Sequence, residues 1–221
     1  YREEKTKFYY FKYGPVVIGT ARPETKFLDK VIVVHPKDDR YKELTGKEFE
    51  VEWIEGPVTA KMITDEVADM EMGSGAMTIT PAHSFVDFDL AKKYGFDVVK
   101  IIGEDGKLTE AAGSFAGKDA HEAREQIVSQ LEQKGLVDHI DEDYVHNLSI
   151  CYRCSAAVEP LPKIQWFIDV NKPFKFRASK YAPIEGLKDG QEVTLKGLMQ
   201  HVVKSKQVNI IPERFDKTYF H

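Results

Sequence analysis

Several things are scarce in these 221 residues, and each scarcity removes a class of protein. No apolar run approaches the roughly 18 residues of a membrane-spanning helix, so no membrane partner is expected. The opening residues, Tyr1-Arg2-Glu3-Glu4-Lys5, lack the charged-then-apolar layout of a secretory signal, which points to a cytoplasmic protein. Cysteine occurs only at Cys151 and Cys154, which suits that compartment. A basic surplus is also missing: 31 Lys and Arg stand against 36 Asp and Glu, for a net charge of -5. Tight autonomous nucleic-acid binding usually leaves a basic footprint, so that balance argues against it. No internal repeat occurs. What is present, 42% hydrophobic and 30% charged residues, is ordinary for a soluble globular chain. The length allows a sizeable core and one large domain, or one domain with an appendage.

Short β-branched or aromatic runs dominate the first eighty residues: Phe8 to Tyr13, Val16 to Thr20, Val31 to His35, Phe49 to Trp53 and Ala76 to Thr80. Gly, Pro and Asp pairs separate them. The spacing predicts an α+β fold built on a compact, β-barrel-like sheet with peripheral helices, not alternating βαβ units. One helix is expected over Phe85 to Tyr94, with Phe85, Phe88, Leu90 and Ala91 available to pack, Asp87 in its first turn and Gly95 as its stop. A second runs from the cap Asp119, with Glu122 three residues on, the stripe Ala120, Ala123, Ile127 and Leu131, and Gly135 at its end. A strand is expected at Ile164 to Val170. Residues 1–172 thus read as the core domain with a cysteine-containing return segment. Residues 173–221 read as a polar insertion over Phe174 to Glu192, a helix carrying Leu195, Leu198, Met199, Val202 and Val203, and a connecting segment. The sequence opens on strand-like Phe8-Tyr9-Tyr10-Phe11 and stops at Lys217-Thr218-Tyr219-Phe220-His221 with no stop-like composition. It reads as a domain belonging to a longer protein.

Two segments concentrate chemistry at strand ends: Thr20-Ala21-Arg22-Pro23-Glu24-Thr25, and Met72-Gly73-Ser74-Gly75 leading through Thr78, Thr80, Pro81, His83 and Ser84 to Asp87. Sheet scaffolds usually present function at such ends. Hydroxyls, glycines and charge are there, but no strong nucleophile with its base. Such a pocket activates water or a reactive ester without forming a covalent adduct.

These segments, with Glu104-Asp105-Gly106-Lys107-Leu108, Gly113-x-Phe115-x-Gly117 and Glu159-Pro160 before Gln165-Trp166-Phe167, stand in an order that resembles the editing domain, or connective polypeptide, of class I aminoacyl-tRNA synthetases. The likeness is greatest to the valyl enzymes and covers nearly the whole chain; Pro212-Glu213-Arg214-Phe215 resembles their return to the synthetic domain. Isoleucine enzymes tend to carry Thr-Pro-Trp-Thr in place of Arg22-Pro23-Glu24-Thr25, and leucine enzymes lack the Gln-Trp-Phe segment. The resemblance implies deacylation of Thr-tRNA(Val), since an apolar synthetic pocket rejects an added hydroxyl by only about a hundredfold. Its implied partners are the mischarged tRNA acceptor end and the remainder of the synthetase. No cofactor is implied for editing, and ATP belongs to the synthetic domain.

By the same resemblance Asp87 holds the substrate α-ammonium. Thr20, Arg22 and Thr25 join it as catalytic residues that position water, the ester and the terminal ribose. Gly73 and Gly75 let backbone amides approach as oxyanion donors, and Met72, Thr78, Thr80, His83 and Ser84 complete the substrate wall. Valine enzymes commonly have lysine at position 78 and aspartate at position 84. Thr78 and Ser84 are therefore the two candidate readers of the threonine hydroxyl.

Cys151-x-x-Cys154 is half of a zinc site, completed by His146 or by residues outside this chain, or else a pair of reduced structural thiols. Plainer readings stand beside the others: His83 as a structural hydrogen-bonder, Asp87 as a helix N-terminal acid, Arg22-Pro23-Glu24 as a loop ion pair. Two further functions are open, a non-catalytic tRNA-end or partner-binding module and a metal-stabilised structural appendage. An isoleucine- or leucine-type editing domain is a variant of the first reading.

Overall fold

The turn Gly14-Pro15 joins two strands, β1 (Arg2–Tyr13) and β2 (Val16–Thr20), in antiparallel register from Tyr13↔Val16 to Tyr9↔Thr20. Gly14 takes a φ of +58°, and a Cβ there would lie 2.9 Å from Val51 Cγ2, so only glycine serves. The computed structural model describes residues 1–181 and 183–220; Ala182, within the expected polar insertion, and His221 lie outside them. The chain packs as two units, Tyr1–Pro162 and Lys163–His221, dividing ahead of the composition shift at Lys172-Pro173.

In the first unit, β1 also pairs antiparallel with β7 (Val137–Leu148), giving the sheet order β2-β1-β7. A second sheet runs β4-β5-β3-β6, from β3 (Val31–Val34), β4 (Glu48–Trp53), β5 (Gly56–Thr64) and β6 (Ala76–Thr78). β3 lies parallel to β5 and antiparallel to β6. Among the described residues the two sheets do not close on each other, so the expected barrel-like sheet is corrected to two open sheets. Short strands at regular spacing fit both arrangements; hydrogen bonding between sheet edges decides, and no local pattern encodes it.

Alternation explains what each strand buries. Val16, Ile18 and Thr20 of β2 face inward with Phe11, Tyr13, Trp53 and Met62. All four residues of β3 are buried, as a central strand covered on both faces requires. Ile32 and Val34 join the main core, while Val31 and Val33 pack with Ile79 and Leu90.

Helix α1 (Phe85–Tyr94) starts at the Ser84 cap and stops at left-handed Gly95. Of its expected packing residues Leu90 and Ala91 are buried, but Phe85 is exposed. Helix α2 (Ala120–Gln133) is capped by Asp119, which accepts from His121 N and Glu122 N, and buries the expected Ala120, Ala123, Ile127 and Leu131. Two strands had weak signals. β5 begins at Gly56-Pro57, and β7 is polar, held by its backbone pairing with β1 and flanked by exposed cross-strand ion pairs such as Lys5–Asp143 and Lys7–Glu142.

The second unit holds a two-stranded ribbon, β8 (Pro173–Lys175) with β9 (Glu192–Thr194), then helices α3 (Leu195–Lys204) and α4 (Asp216–Tyr219). The strand expected at Ile164 to Val170 is absent: those residues form no regular element, and Ile164 and Trp166 are fully exposed. A strand needs a partner edge, which that run lacks here. No helix of the described residues is long and apolar enough to cross a membrane.

Candidate functional site

One cavity of about 500 Å³ in the first unit is lined by all eleven of the expected pocket residues, from Thr20, Arg22 and Thr25 through Met72, Gly73, Gly75, Thr78 and Thr80 to His83, Ser84 and Asp87. Phe8, Lys26 and Tyr144 line it too, without having been foreseen. A second, smaller cavity of about 250 Å³ shares Thr25 and Thr80 and is walled by Val31, Ile79 and Phe96.

The first wall is the end of β2. Alternation turns Thr20 inward, and its Oγ1 accepts from Arg22 N at 2.9 Å. Pro23 then starts a 3-10 turn, Pro23–Leu28, kinked at Lys26, in which Thr25 Oγ1 donates to the Arg22 carbonyl at 2.9 Å. Thr20 thus keeps its hydroxyl proton and Thr25 its lone pairs, a complementary pair for holding water. Core aromatics pin this turn from behind: Trp53 Nε1 donates to the Lys26 carbonyl and the Tyr13 hydroxyl to the Asp29 carbonyl.

Charges brace the same turn. Arg22 donates to Glu24 and Glu159 and reaches the His83 carbonyl at 3.4 Å, so its guanidinium is engaged on three sides. Glu24 is almost fully buried and takes two 2.9 Å bonds from Arg124 of α2. Burial pushes the Glu159 carboxyl up, but its bond to His83 and the nearby Arg22 guanidinium outweigh that and hold it below the usual range. Glu159 has no role in the expected site, because no spacing signal connects it to Arg22, 137 positions away.

His83 has the structural role that its plainer reading anticipated. Its Nε2 accepts from Ile101 N at 2.9 Å and Ile102 N at 3.2 Å, which assigns the ring proton to Nδ1, 2.8 Å from Glu159 Oε1. Ser84 caps α1 by accepting from Asp87 N. Asp87 is buried, and its Oδ2 accepts from Thr80 N at 2.7 Å and Thr80 Oγ1 at 3.3 Å. Oδ1 is outside those bonds.

The glycine turn differs from expectation at one point. Gly75 N donates to Met72 O at 2.9 Å and closes the turn, so that amide is not an oxyanion donor. Gly75 has a φ of +78°, a left-handed conformation that favours glycine, and a Cβ there would also displace the Arg40 guanidinium from beside Asp38. Thr78 is buried, and its Oγ1 lies against the Asp29 carboxyl without reaching good hydrogen-bond geometry. In place of a lysine at 78, Lys26 brings its ammonium to the Thr78 carbonyl at 3.2 Å and to Asp29 Oδ2 at 3.3 Å. Burial raises the Asp29 carboxyl above its ordinary range, with Lys26 and the Thr78 hydroxyl opposing.

Cys151 and Cys154 are reduced and open to solvent to differing degrees. The Cys154 and Arg153 backbone N–H groups point at the Cys151 sulfur and lower its thiol, favouring the thiolate a metal would need. His146 instead lies 3.5 Å from Glu4 Oε2. Among the described residues no group of three His, Cys, Asp or Glu could hold a metal ion, so two thiols are the donor set and do not by themselves fill a zinc shell.

Comparison with known proteins finds the relatives of this chain among the aminoacyl-tRNA ligases. More narrowly, nearly all of the chain is similar to one segment of valine–tRNA ligases. It is 35% identical to the valine–tRNA ligase of Aquifex aeolicus, over 96% of this chain and 20% of that protein. It is 34% identical to those of Symbiobacterium thermophilum and Thermotoga maritima, over 100% of this chain and 22% and 23% of theirs. The chain therefore spans about a fifth of the length of the curated relatives it matches. No protein-family model matches it. A crystal structure described as GlLeuRS-CP1 overlaps 58% of this chain and 84% of its own, with a TM-score of 0.45 and 15% identity, too slight a likeness to bear on the site.

Proposed function

We propose that this chain is the proofreading module of a valine–tRNA ligase and hydrolyses the ester of threonine mischarged to tRNA(Val). The observation that carries the reading is the meeting, in one cavity, of a buried carboxylate with hydroxyls whose hydrogen-bonding capacity is not spent. Asp87 Oδ1 receives the α-ammonium, while Oδ2 keeps Thr80 in place. A charge-assisted bond of this kind contributes about 1.5–3 kcal/mol.

Thr20 donates to a water molecule and Thr25 accepts from it, aiming its oxygen at the ester carbonyl carbon. An aminoacyl ester is already activated, so positioning supplies much of the acceleration without a nucleophilic residue. Arg22, braced by Glu24 and Glu159, fixes the link between the β2 end that carries Thr20 and the turn that carries Thr25. Thr78 reads the substrate hydroxyl, because its buried Oγ1 lies against the Asp29 carboxyl without reaching good hydrogen-bond geometry and so gains a bond when the hydroxyl arrives; valine offers it none. Ser84 is committed to the helix cap.

The partners in this reading are the acceptor end of a mischarged tRNA and the rest of the ligase, in the cytoplasm. The acidic balance leaves phosphate contacts to that remainder. No cofactor takes part in deacylation; ATP serves the synthetic reaction elsewhere in the ligase, and a structural zinc on Cys151 and Cys154 needs donors beyond the two thiols. The test is hydrolysis of Thr-, Val- and Ile-charged tRNA(Val) by the full-length ligase. Rapid loss of the threonyl ester with persistence of the valyl ester is expected. Equal turnover of both, or none of either, would sink the assignment and favour a binding module.

A further inference from the structure

Lys26 is a cation in the cavity wall that no role above employs. It directly follows Thr25 in the 3-10 turn, its side chain is 9% exposed, and it lines the same cavity as Asp87. An ammonium carries three N–H donors. The Thr78 carbonyl takes one and the Asp29 carboxylate faces another, which leaves a third for whatever occupies the cavity. The turn holding Lys26 is fastened at both its own carbonyl and that of Asp29 by buried Trp53 and Tyr13. A cation fixed in that way needs little reorganisation when charge develops beside it. The Gly75 amide, meanwhile, is consumed by its turn.

We propose that Lys26 is the oxyanion-stabilising group of this cavity, its third N–H donating to the ester carbonyl oxygen as that oxygen becomes negative. This deepens the ester-hydrolase reading and rests on it. The oxygen of water adds to the carbonyl carbon, and the π pair moves onto the carbonyl oxygen facing Lys26. On collapse the pair returns, the bond from that carbon to the ribose oxygen breaks, and the ribose oxygen takes up the proton that the water gives up. Lys26 keeps its own proton throughout.

The test uses the full-length ligase with Thr-tRNA(Val), and a non-hydrolysable threonylamino-adenosine as the binding probe. Lys26→Met leaves Asp29 buried without its cation, so Lys26→Met/Asp29→Asn is measured beside it, with Asp29→Asn alone as the control that keeps the ammonium. In the folded double variant kcat for deacylation falls roughly 100-fold or more, the loss typical of removing one oxyanion donor, while KM and probe affinity change little. Asp29→Asn falls far less. Wild-type kcat in the folded double variant overturns the role of Lys26, as does a kcat loss matched by equal loss of probe affinity, or an Asp29→Asn loss as deep as that of the double variant. A wild-type ligase inert on the threonyl ester overturns the ester-hydrolase reading itself.

Discussion

Glu24 and Arg124 meet through two 2.9 Å hydrogen bonds across 100 positions of sequence, with the Glu24 carboxylate almost fully withdrawn from water. The pair fastens the turn that carries Thr25 and Lys26 to helix α2. Arg124→Met leaves a buried, half-paired carboxylate, and such losses cost about 3–5 kcal/mol. Urea denaturation of the two single variants and of Glu24→Gln/Arg124→Met is expected to show the double variant as more stable than Arg124→Met alone.

Asp87→Asn keeps an oxygen for Thr80 N but removes the charge. Deacylation should fall about 10- to 100-fold, the equivalent of one charge-assisted bond, with the melting temperature nearly unchanged. Deacylation at the wild-type rate in the folded variant would remove Asp87 from ammonium binding.

Thr78→Val deletes a buried hydroxyl whose contact with the Asp29 carboxyl falls short of good hydrogen-bond geometry, so stability should change little, while the preference for threonyl over valyl ester shrinks. Ser84→Ala should act in the opposite way, costing about 1 kcal/mol as a lost helix cap and sparing selectivity. Thermal melts and paired deacylation rates on the same tRNA separate the two residues.

Glu159 gives the unit an acid-sensitive element. Its folded carboxyl titrates below the ordinary 4.5, so its stabilising contribution is complete above that pH and is lost as pH falls through the lower folded value. Glu159→Gln should therefore reduce stability at neutral pH and flatten the acid limb of a pH–stability curve. An acid limb identical to that of the wild type would show that Arg22 and His83 do not stabilise the ionised form.

The two-cysteine knuckle predicts that the 221-residue chain by itself holds zinc weakly, since two thiolates leave the tetrahedral shell open. Elemental analysis after dialysis should find substoichiometric zinc, and a chelator should leave the melting curve in place. Stoichiometric, chelator-resistant zinc would mean that donors other than Cys151 and Cys154 reach the metal.

The sequence by itself determined the elements whose signals are local. Helix α2 is written in its Asp119 cap, its apolar stripe and Gly135, all within one stretch of chain. Helix α1 is likewise bounded by Ser84 and Gly95, and β2 by an alternation that turns Thr20 inward. The eleven pocket residues implied by the family resemblance line one cavity, and they sit on strand ends and the loop after β6, where a sheet presents polar groups. Only the tertiary structure decided what those residues touch. Long-range pairing left the sheets open, gave polar β7 a partner, and left Ile164 and Trp166 without one. It also brought Lys26 to Thr78 across 52 positions, Glu159 to Arg22 across 137, and the Gly75 amide to Met72. Hydrogen bonds and ion pairs depend on distances of a few ångströms between chain segments, and residue spacing along the sequence does not encode those distances.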